Sequence, residues 1–337
     1  MKAIVCNKPY KFSLIEKKEP KPETNKAVVR IRRIGICGTD LHAYQGNQPY
    51  FEYPRILGHE LSGEIEYVPE NDKGLKKGDK VTIFPYVSCG QCIACRNNKP
   101  NCCINLKIYG IHMDGGMQEF LNIPYDLLIK SDSLSLDQLS LVECLSIGAH
   151  ANRRAGVTAG EFVLVIGAGP IGIGIMNFAK IRGAKVIAMD ISEERLNFAQ
   201  KNIGIDFIVN AKDNPLKELE KITNGDMPIK VFDATGNPKS MEASFNFIAH
   251  GGKLILVSLV SSKISFYDPD FHKRETTLLS SRNATREDFE TVIDALEKGY
   301  INIDPCITHR ASFDNLIESF PLWIKPETGV IKAVVTP

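Results

Sequence analysis

Residues 89–103, CGQCIACRNNKPNCC, put five of the chain's nine cysteines into fifteen positions. Cys89, Cys92, Cys95 and Cys103 follow C-x2-C-x2-C-x7-C. The two short spacings let one loop turn several sulfurs onto a single ion, and Gly90 eases the turn. Soft thiolates in a tetrahedral set suit Zn(II). An iron–sulfur cluster is the other chemistry such a set supports. A complete four-cysteine shell leaves no position for substrate, so an ion here is structural. On spacing alone the adjacent Cys102 competes with Cys103 for the fourth place. An odd total of nine cysteines, in a chain with no signal-peptide core at its MKAIVCNKPY start, favours metal ligands and free thiols over disulfides.

Two other stretches carry reactive side chains. In GICGTDLHAYQGNQPYFEYPRILGHELSGEI, Cys37 and His59 are a soft and a borderline metal ligand on different segments, with Asp40 and Glu60 beside them. A catalytic zinc needs three protein ligands and one open position. By themselves Cys37 and His59 read better as a core cysteine and a surface histidine than as metal ligands. Further on, FVLVIGAGPIGIG places Gly167, Gly169 and Gly172 in G-x-G-x-x-G, with Pro170 and Ile171 between the last two. This match follows an apolar strand and opens a helix, the context a dinucleotide site requires. Gly167 makes the tight turn, Gly169 admits the pyrophosphate and Gly172 allows close helix–strand packing. The helix N-terminus then receives the anion. Asp190 ends the next strand, where a carboxylate binds both adenosine ribose hydroxyls and repels a 2′-phosphate, so NAD is favoured over NADP. Arg195 flanks the adenosine. Thr235, Gly236 and Val257 to Leu259 end later strands on the ligand side and line the nicotinamide half.

These residues need two scaffolds. At 337 residues the chain is long enough for two domains, and 43% hydrophobic with 24% charged residues is ordinary for a globular protein. A net charge of +1 gives no reason to expect nucleic acid or an anionic membrane. No apolar run is long enough to span a bilayer, and the protein reads as cytoplasmic. The first part is β-rich and punctuated by proline: AVVRIRRIGI, LSGEIEYV and DKVTIFPYV read as strands. Near residue 147 the grammar changes to strand and helix in turn, which implies βαβ units and a parallel sheet. A helix is expected over about 238 to 249. After TTLLSSR come an amphipathic helix near REDFETVIDALEKG and a last strand in GVIKAVVTP. The expected fold is α/β: a β-rich domain over 1–147, a doubly wound parallel-sheet domain over 148–284, and a tail over 285–337 that returns to the first domain.

C-G-T-D, G-H-E-x-x-G, the four-cysteine loop and the dinucleotide fingerprint, in this order, resemble the zinc-dependent medium-chain alcohol and polyol dehydrogenases across essentially the whole chain. The resemblance implies a GroES-like catalytic domain, a Rossmann domain, NAD, two zinc ions per chain and a homo-oligomer, dimer or tetramer. It selects Cys103 over Cys102. It implies that Cys37 and His59 hold the catalytic zinc, with Glu60 as an occasional ligand. LVECLSIGAH stands at the polyol branch's L-x-E-P, so Glu143 takes the carboxylate role. Cys144 replaces the proline and leaves open a thiolate ligand, as in the alcohol branch. A second departure is Pro69, in place of a turn glycine. By the same resemblance Asp40 hydrogen-bonds the non-ligating nitrogen of His59. Thr39 accepts the substrate's proton and His42 passes it to solvent. His112 either lines the pocket or packs, with packing favoured, and His150 and His250 read as structural.

Zinc and NAD together imply hydride transfer from a substrate hydroxyl to nicotinamide. GNQPYFEYPRILGHE and DPDFHKRETTLLSSRNAT resemble stretches of L-galactonate dehydrogenases within the family, which implies a small hydroxylated sugar acid. Lys273, Arg274 and Arg282 are cations available to its carboxylate. A neutral polyol such as sorbitol, and threonine, are alternative substrates. A zinc-free reductase, or a non-catalytic NAD-binding protein on this scaffold, should have lost zinc ligands, and none is missing.

Overall fold

The computed structural model describes residues 1–49 and 51–337; Tyr50, inside the GNQPYFEYPRILGHE stretch, lies outside them. The chain divides into two compact units. One comprises Met1–Glu143, Thr285–Lys298 and Ile303–Pro337, the other Cys144–Ala284 and Gly299–Asn302.

The first unit is built on a seven-stranded sheet. Its path runs Leu128–Lys130, Lys80–Ile83, Glu60–Tyr67, Lys26–Ile36, Lys332–Thr336 and Ile307–Ser312, with Phe120–Pro124 also pairing Lys26–Ile36. Lys26–Ile36 is central because it can be buried: Val28, Val29, Ile31, Ile34 and Ile36 are core residues, and branched side chains suit a packed pleat. The chain's last strand pairs antiparallel with it, so Gly35 faces Glu60 on one side while Ile36 faces Ala333 on the other. The segment 80–87 is not one strand. It breaks into Lys80–Ile83 and Tyr86–Val87, because Pro85 has no N–H to give a ladder; the second piece pairs with Lys107–Ile108 instead. The helix Phe313–Trp323, which the sequence pattern had not singled out, supplies Phe313, Leu316, Phe320 and Trp323 to this unit's core.

The second unit is a six-stranded parallel sheet. Its order is Phe207–Asn210, Lys185–Asp190, Phe162–Ile166, Lys230–Asp233, Lys253–Leu256 and Thr277–Ser280, the order 3-2-1-4-5-6 of a Rossmann fold. Val163 and Val165 belong to one apolar cluster and Leu164 and Ile166 to another, so both faces of the sheet are covered. The helix expected to 249 stops at Ser244. Beyond it Asn246 and Phe247 donate to carbonyls three residues back, the tighter pattern in which helices end. Among the described residues no helix is long and apolar enough to cross a membrane.

Candidate metal centres and nucleotide site

In the cysteine loop, the sulfurs of Cys89, Cys92, Cys95 and Cys103 all lie within 4.8 Å of one another. A tetrahedron with Zn–S bonds of ~2.3 Å has edges of about 3.8 Å, so the four sulfurs fit one zinc. Cys92 and Cys95 Sγ are 3.4 Å apart, far beyond a disulfide bond. Cys102 is exposed and outside the group. The loop presents donors to its sulfurs: the amides of Cys89 and Asn105 lie 3.3 and 3.4 Å from Cys103 Sγ. Backbone N–H groups of Cys95 and Ile104 bring the Cys92 thiol down to about 6, while burial raises Cys95 to about 11. Gly90 takes φ +74° at the turn, as the sequence required.

The second set forms where two strand ends meet a helix start. Cys37 caps the helix Gly38–Gln45, and its N–H donates to Asp40 Oδ2 at 2.9 Å. Asp40 is 1% exposed and its Oδ1 accepts from Gly58 N–H at 3.2 Å. Ligand atoms of Cys37, His59 and Glu60 lie within 4.8 Å of one another. His59 Nδ1 is buried without a hydrogen bond, 3.7 Å from Asp40 Oδ1, longer than a hydrogen bond. Asp40 thus holds the loop around His59 through backbone amides. Burial opposes a charged imidazole, but Asp40, Cys37 and Glu143 together hold the His59 pKa well above its usual value. A thiol, an imidazole and a carboxylate gathered in a largely buried cluster are the donor chemistry of a catalytic zinc.

Both carboxylates have partners that sequence reasoning missed. Glu60 is fully buried, and each of its oxygens is 2.7 Å from Lys332 Nζ, itself 3% exposed. Gly35 makes the room: a Cβ there would come within 2.2 Å of Glu60 Oε2. The signal available in the sequence was a lysine inside the apolar run VIKAVV. Glu143, at the start of the helix Val142–Ala155, accepts a hydrogen bond from the Tyr86 hydroxyl. Burial pushes its carboxyl up, against the pull of His59. It is near enough to act on His59 and Glu60 electrostatically, but it lies outside the 4.8 Å group. Cys144 is buried and also outside that group. Thr39 and His42 sit three residues apart on the helix Gly38–Gln45, hence on one face, Thr39 half-buried and His42 exposed.

In the second unit, Gly167 takes φ +97° and Gly169 caps the helix Pro170–Ile181 with Pro170 in its first turn. A Cβ at Gly172 would meet Gly167 O at 1.7 Å, which enforces glycine there. Ile171 is half-buried and packs on this unit's core. A Cβ at Gly169 would come 3.6 Å from Arg195 Nη1, so the guanidinium stands beside the loop. Asp190 is 9% exposed; its Oδ2 accepts from Ala168 N–H at 2.7 Å and its Oδ1 from Ser192 N–H at 2.9 Å. Each oxygen keeps a second lone pair for a ribose hydroxyl. Asp233, fully buried, fixes the next loop through Thr235 N–H and Oγ1 and Ser240 Oγ. Thr235 and Gly236 are exposed there, as is Leu259, while Val257 is half-buried.

Lys273, Arg274 and Arg282 are not one cluster. Lys273 and Arg274 precede the strand Thr277–Ser280 and Arg282 follows it, so about 13 Å of strand separates them. Only Arg282 lies at the carboxyl end of the parallel sheet, the ligand side. Ser281 Oγ and Asn283 Nδ2, which flank it, are buried without a hydrogen-bond partner. Polar atoms of this kind, at the same carboxyl end of the sheet as the glycine loop, fit a dinucleotide.

Residues 23–133 match the family model of the alcohol dehydrogenase GroES-like domain, and residues 170–298 that of the zinc-binding dehydrogenases. The chain is 40% identical to L-galactonate-5-dehydrogenase of Escherichia coli (strain K12), covering 100% of this chain and 99% of the relative. It is 34% identical to L-threonine 3-dehydrogenase of Pyrococcus furiosus, covering 98% and 97%. Among solved structures, a short chain alcohol dehydrogenase from E. coli CFT073, complexed with NADH, superposes with a TM-score of 0.93 at 31% identity, covering 100% of this chain and 99% of that one. The chain belongs to the zinc-type medium-chain alcohol dehydrogenases. It is an oxidoreductase that uses zinc and a nicotinamide dinucleotide.

Proposed function

We propose that the protein oxidises a secondary hydroxyl of a C5 to C6 sugar acid, L-galactonate or a close relative of it, with NAD. The observation that carries this reading is the full-length 40% identity to L-galactonate-5-dehydrogenase. Arg282, at the carboxyl end of the Rossmann sheet, supplies a cation suited to a directional contact with the acid's carboxylate. Cys37, His59 and Glu143 would hold the catalytic zinc, with Glu60 in reserve, and Cys89, Cys92, Cys95 and Cys103 the structural one. When bound, the catalytic zinc supplies a Lewis acid to the substrate hydroxyl and the dinucleotide accepts the hydride. Thr39 takes the proton the hydroxyl gives up, and His42, on the same helix face, hands it to solvent. Gly167, Gly169, Pro170, Ile171 and Gly172 wrap the pyrophosphate, with Arg195 alongside. Thr235, Gly236, Val257 and Leu259 line the nicotinamide half, joined by Ser281 and Asn283. The open edge strand Thr277–Ser280, with Leu278 40% exposed, favours a homo-oligomer through sheet pairing.

The test is a comparison of L-galactonate with its neutral alditol under NAD. A pocket built to hold the acid's carboxylate discriminates against the alditol, which lacks that group. Comparable kcat/KM for the two would overturn the acid reading in favour of a general polyol dehydrogenase.

Asp190 sets the cofactor choice in this reading. Asp190→Ala removes the ribose acceptor, and NAD use should weaken by about 1–3 kcal/mol. NADP use should improve, though less than the lost repulsion alone would allow, because Ala168 and Ser192 also lose their acceptor. KM for both cofactors reads this out. A wild type that already prefers NADP would contradict it.

A further inference from the structure

Tyr86 belongs to neither group of metal ligands, yet its hydroxyl donates to Glu143 Oε1. The side chain is 5% exposed, and contacts other than Glu143 hold it. The ring stands edge-on to Phe84, centroids 5.1 Å apart, and to Phe289 at 6.3 Å; Phe84 and Phe289 are themselves 4.9 Å apart. The backbone is held by pairing of Tyr86 with Ile108. A tyrosine has only two side-chain torsions, and here strand and rings hold both. Glu143 has three side-chain torsions and stands at the first turn of a helix. The hydroxyl is therefore the rigid member of the pair and the carboxylate the adaptable one.

We propose that Tyr86 is the positioning residue for Glu143. Its hydroxyl takes one carboxylate oxygen and so sets the direction in which the other is offered to the ion held by Cys37 and His59. The proposal rests on the reading of Cys37 and His59 as ligands of the catalytic zinc. Hydrogen bonds to ligating groups orient them, and losing one lowers metal affinity or activity roughly 10- to 100-fold. The pair also accounts for a buried phenol, which needs an acceptor, beside a buried carboxylate.

Tyr86→Phe deletes the hydroxyl and keeps the ring between Phe84 and Phe289. In the purified holoenzyme, one of two zincs should be surrendered to a competing chelator at roughly 10- to 100-fold lower chelator strength than in the wild type. The other zinc should stay as in the wild type. Cobalt(II) exchanged into the weaker site should show altered visible bands. In the Glu143→Gln background, adding Tyr86→Phe should change nothing further. Wild-type zinc retention with a wild-type cobalt spectrum in Tyr86→Phe would overturn the proposal, and so would multiplying effects of the two substitutions. If Tyr86→Phe alone does not fold, Tyr86→Phe/Glu143→Gln against Glu143→Gln decides: equal affinity supports the proposal and a further loss sinks it. Failure of the wider reading is seen separately, as a Cys37→Ser variant that keeps both zincs.

Discussion

Cys95→Ser is expected to reduce the zinc content from two per chain to one and to lower stability far more than it alters the chemistry of the molecules that fold. The loop 89–103 has little else to hold it. Ile93 and the adjoining Ile104 are 60% and 73% exposed, and the loop's buried residues are Cys92, Cys103 and Asn101. A structural zinc contributes ~10–16 kcal/mol in small zinc peptides, comparable to a whole domain's usual margin of about 5–15 kcal/mol. Some of this is offset here, because the rest of the unit folds on its own sheet. Proteolysis should cut the loop, the thermal midpoint should fall, and kcat of the folded fraction should stay within a few fold of wild type. Metal analysis decides: one zinc or none in freshly purified, unchelated wild-type protein would refute the two-site assignment, and so would two in the variant.

Lys332→Met should be almost as damaging. It leaves Glu60 fully buried with its bidentate partner gone. Removing one member of a buried ion pair costs about 3–5 kcal/mol, because the remaining charge keeps its desolvation penalty. Lys332→Met/Glu60→Gln should recover part of the loss, since a neutral amide is cheaper to bury. Equal midpoints for Lys332→Met and wild type at pH 7 would show that the pair contributes nothing.

Much of this protein was legible before any coordinates, wherever the determining interactions are local. The parallel order of the second unit follows from strands and helices in alternation. The glycines of 167–172 are dictated by φ and by contacts inside a few residues, and so is the turn at Gly90. Cysteines two residues apart must converge on one ion or waste their spacing. Local rules also misled. The segment 80–87 looked like one strand and is two, because one missing amide at Pro85 outweighs an apolar pattern. The helix after Pro238 was drawn too long, because composition does not show where the hydrogen bonds tighten. The cations Lys273, Arg274 and Arg282 were all candidates for one carboxylate, because nearness in sequence hides a strand's length.

By itself, then, the sequence determined the ligand types, the loop that gathers four sulfurs, the cradle for the pyrophosphate and the carboxylate at Asp190, since each is set by residue chemistry and spacing over a short stretch. Only the tertiary structure decided who answers the buried charges. Lys332 reaches Glu60 across 272 positions, because the last strand lies on the other side of Lys26–Ile36 and Gly35 leaves room between them. Tyr86 reaches Glu143 across 57 because Pro85 turns its strand aside. A buried carboxylate must find a partner, but neither composition nor periodicity says which one; that depends on how the strands are ordered in the sheet and on what packs over them.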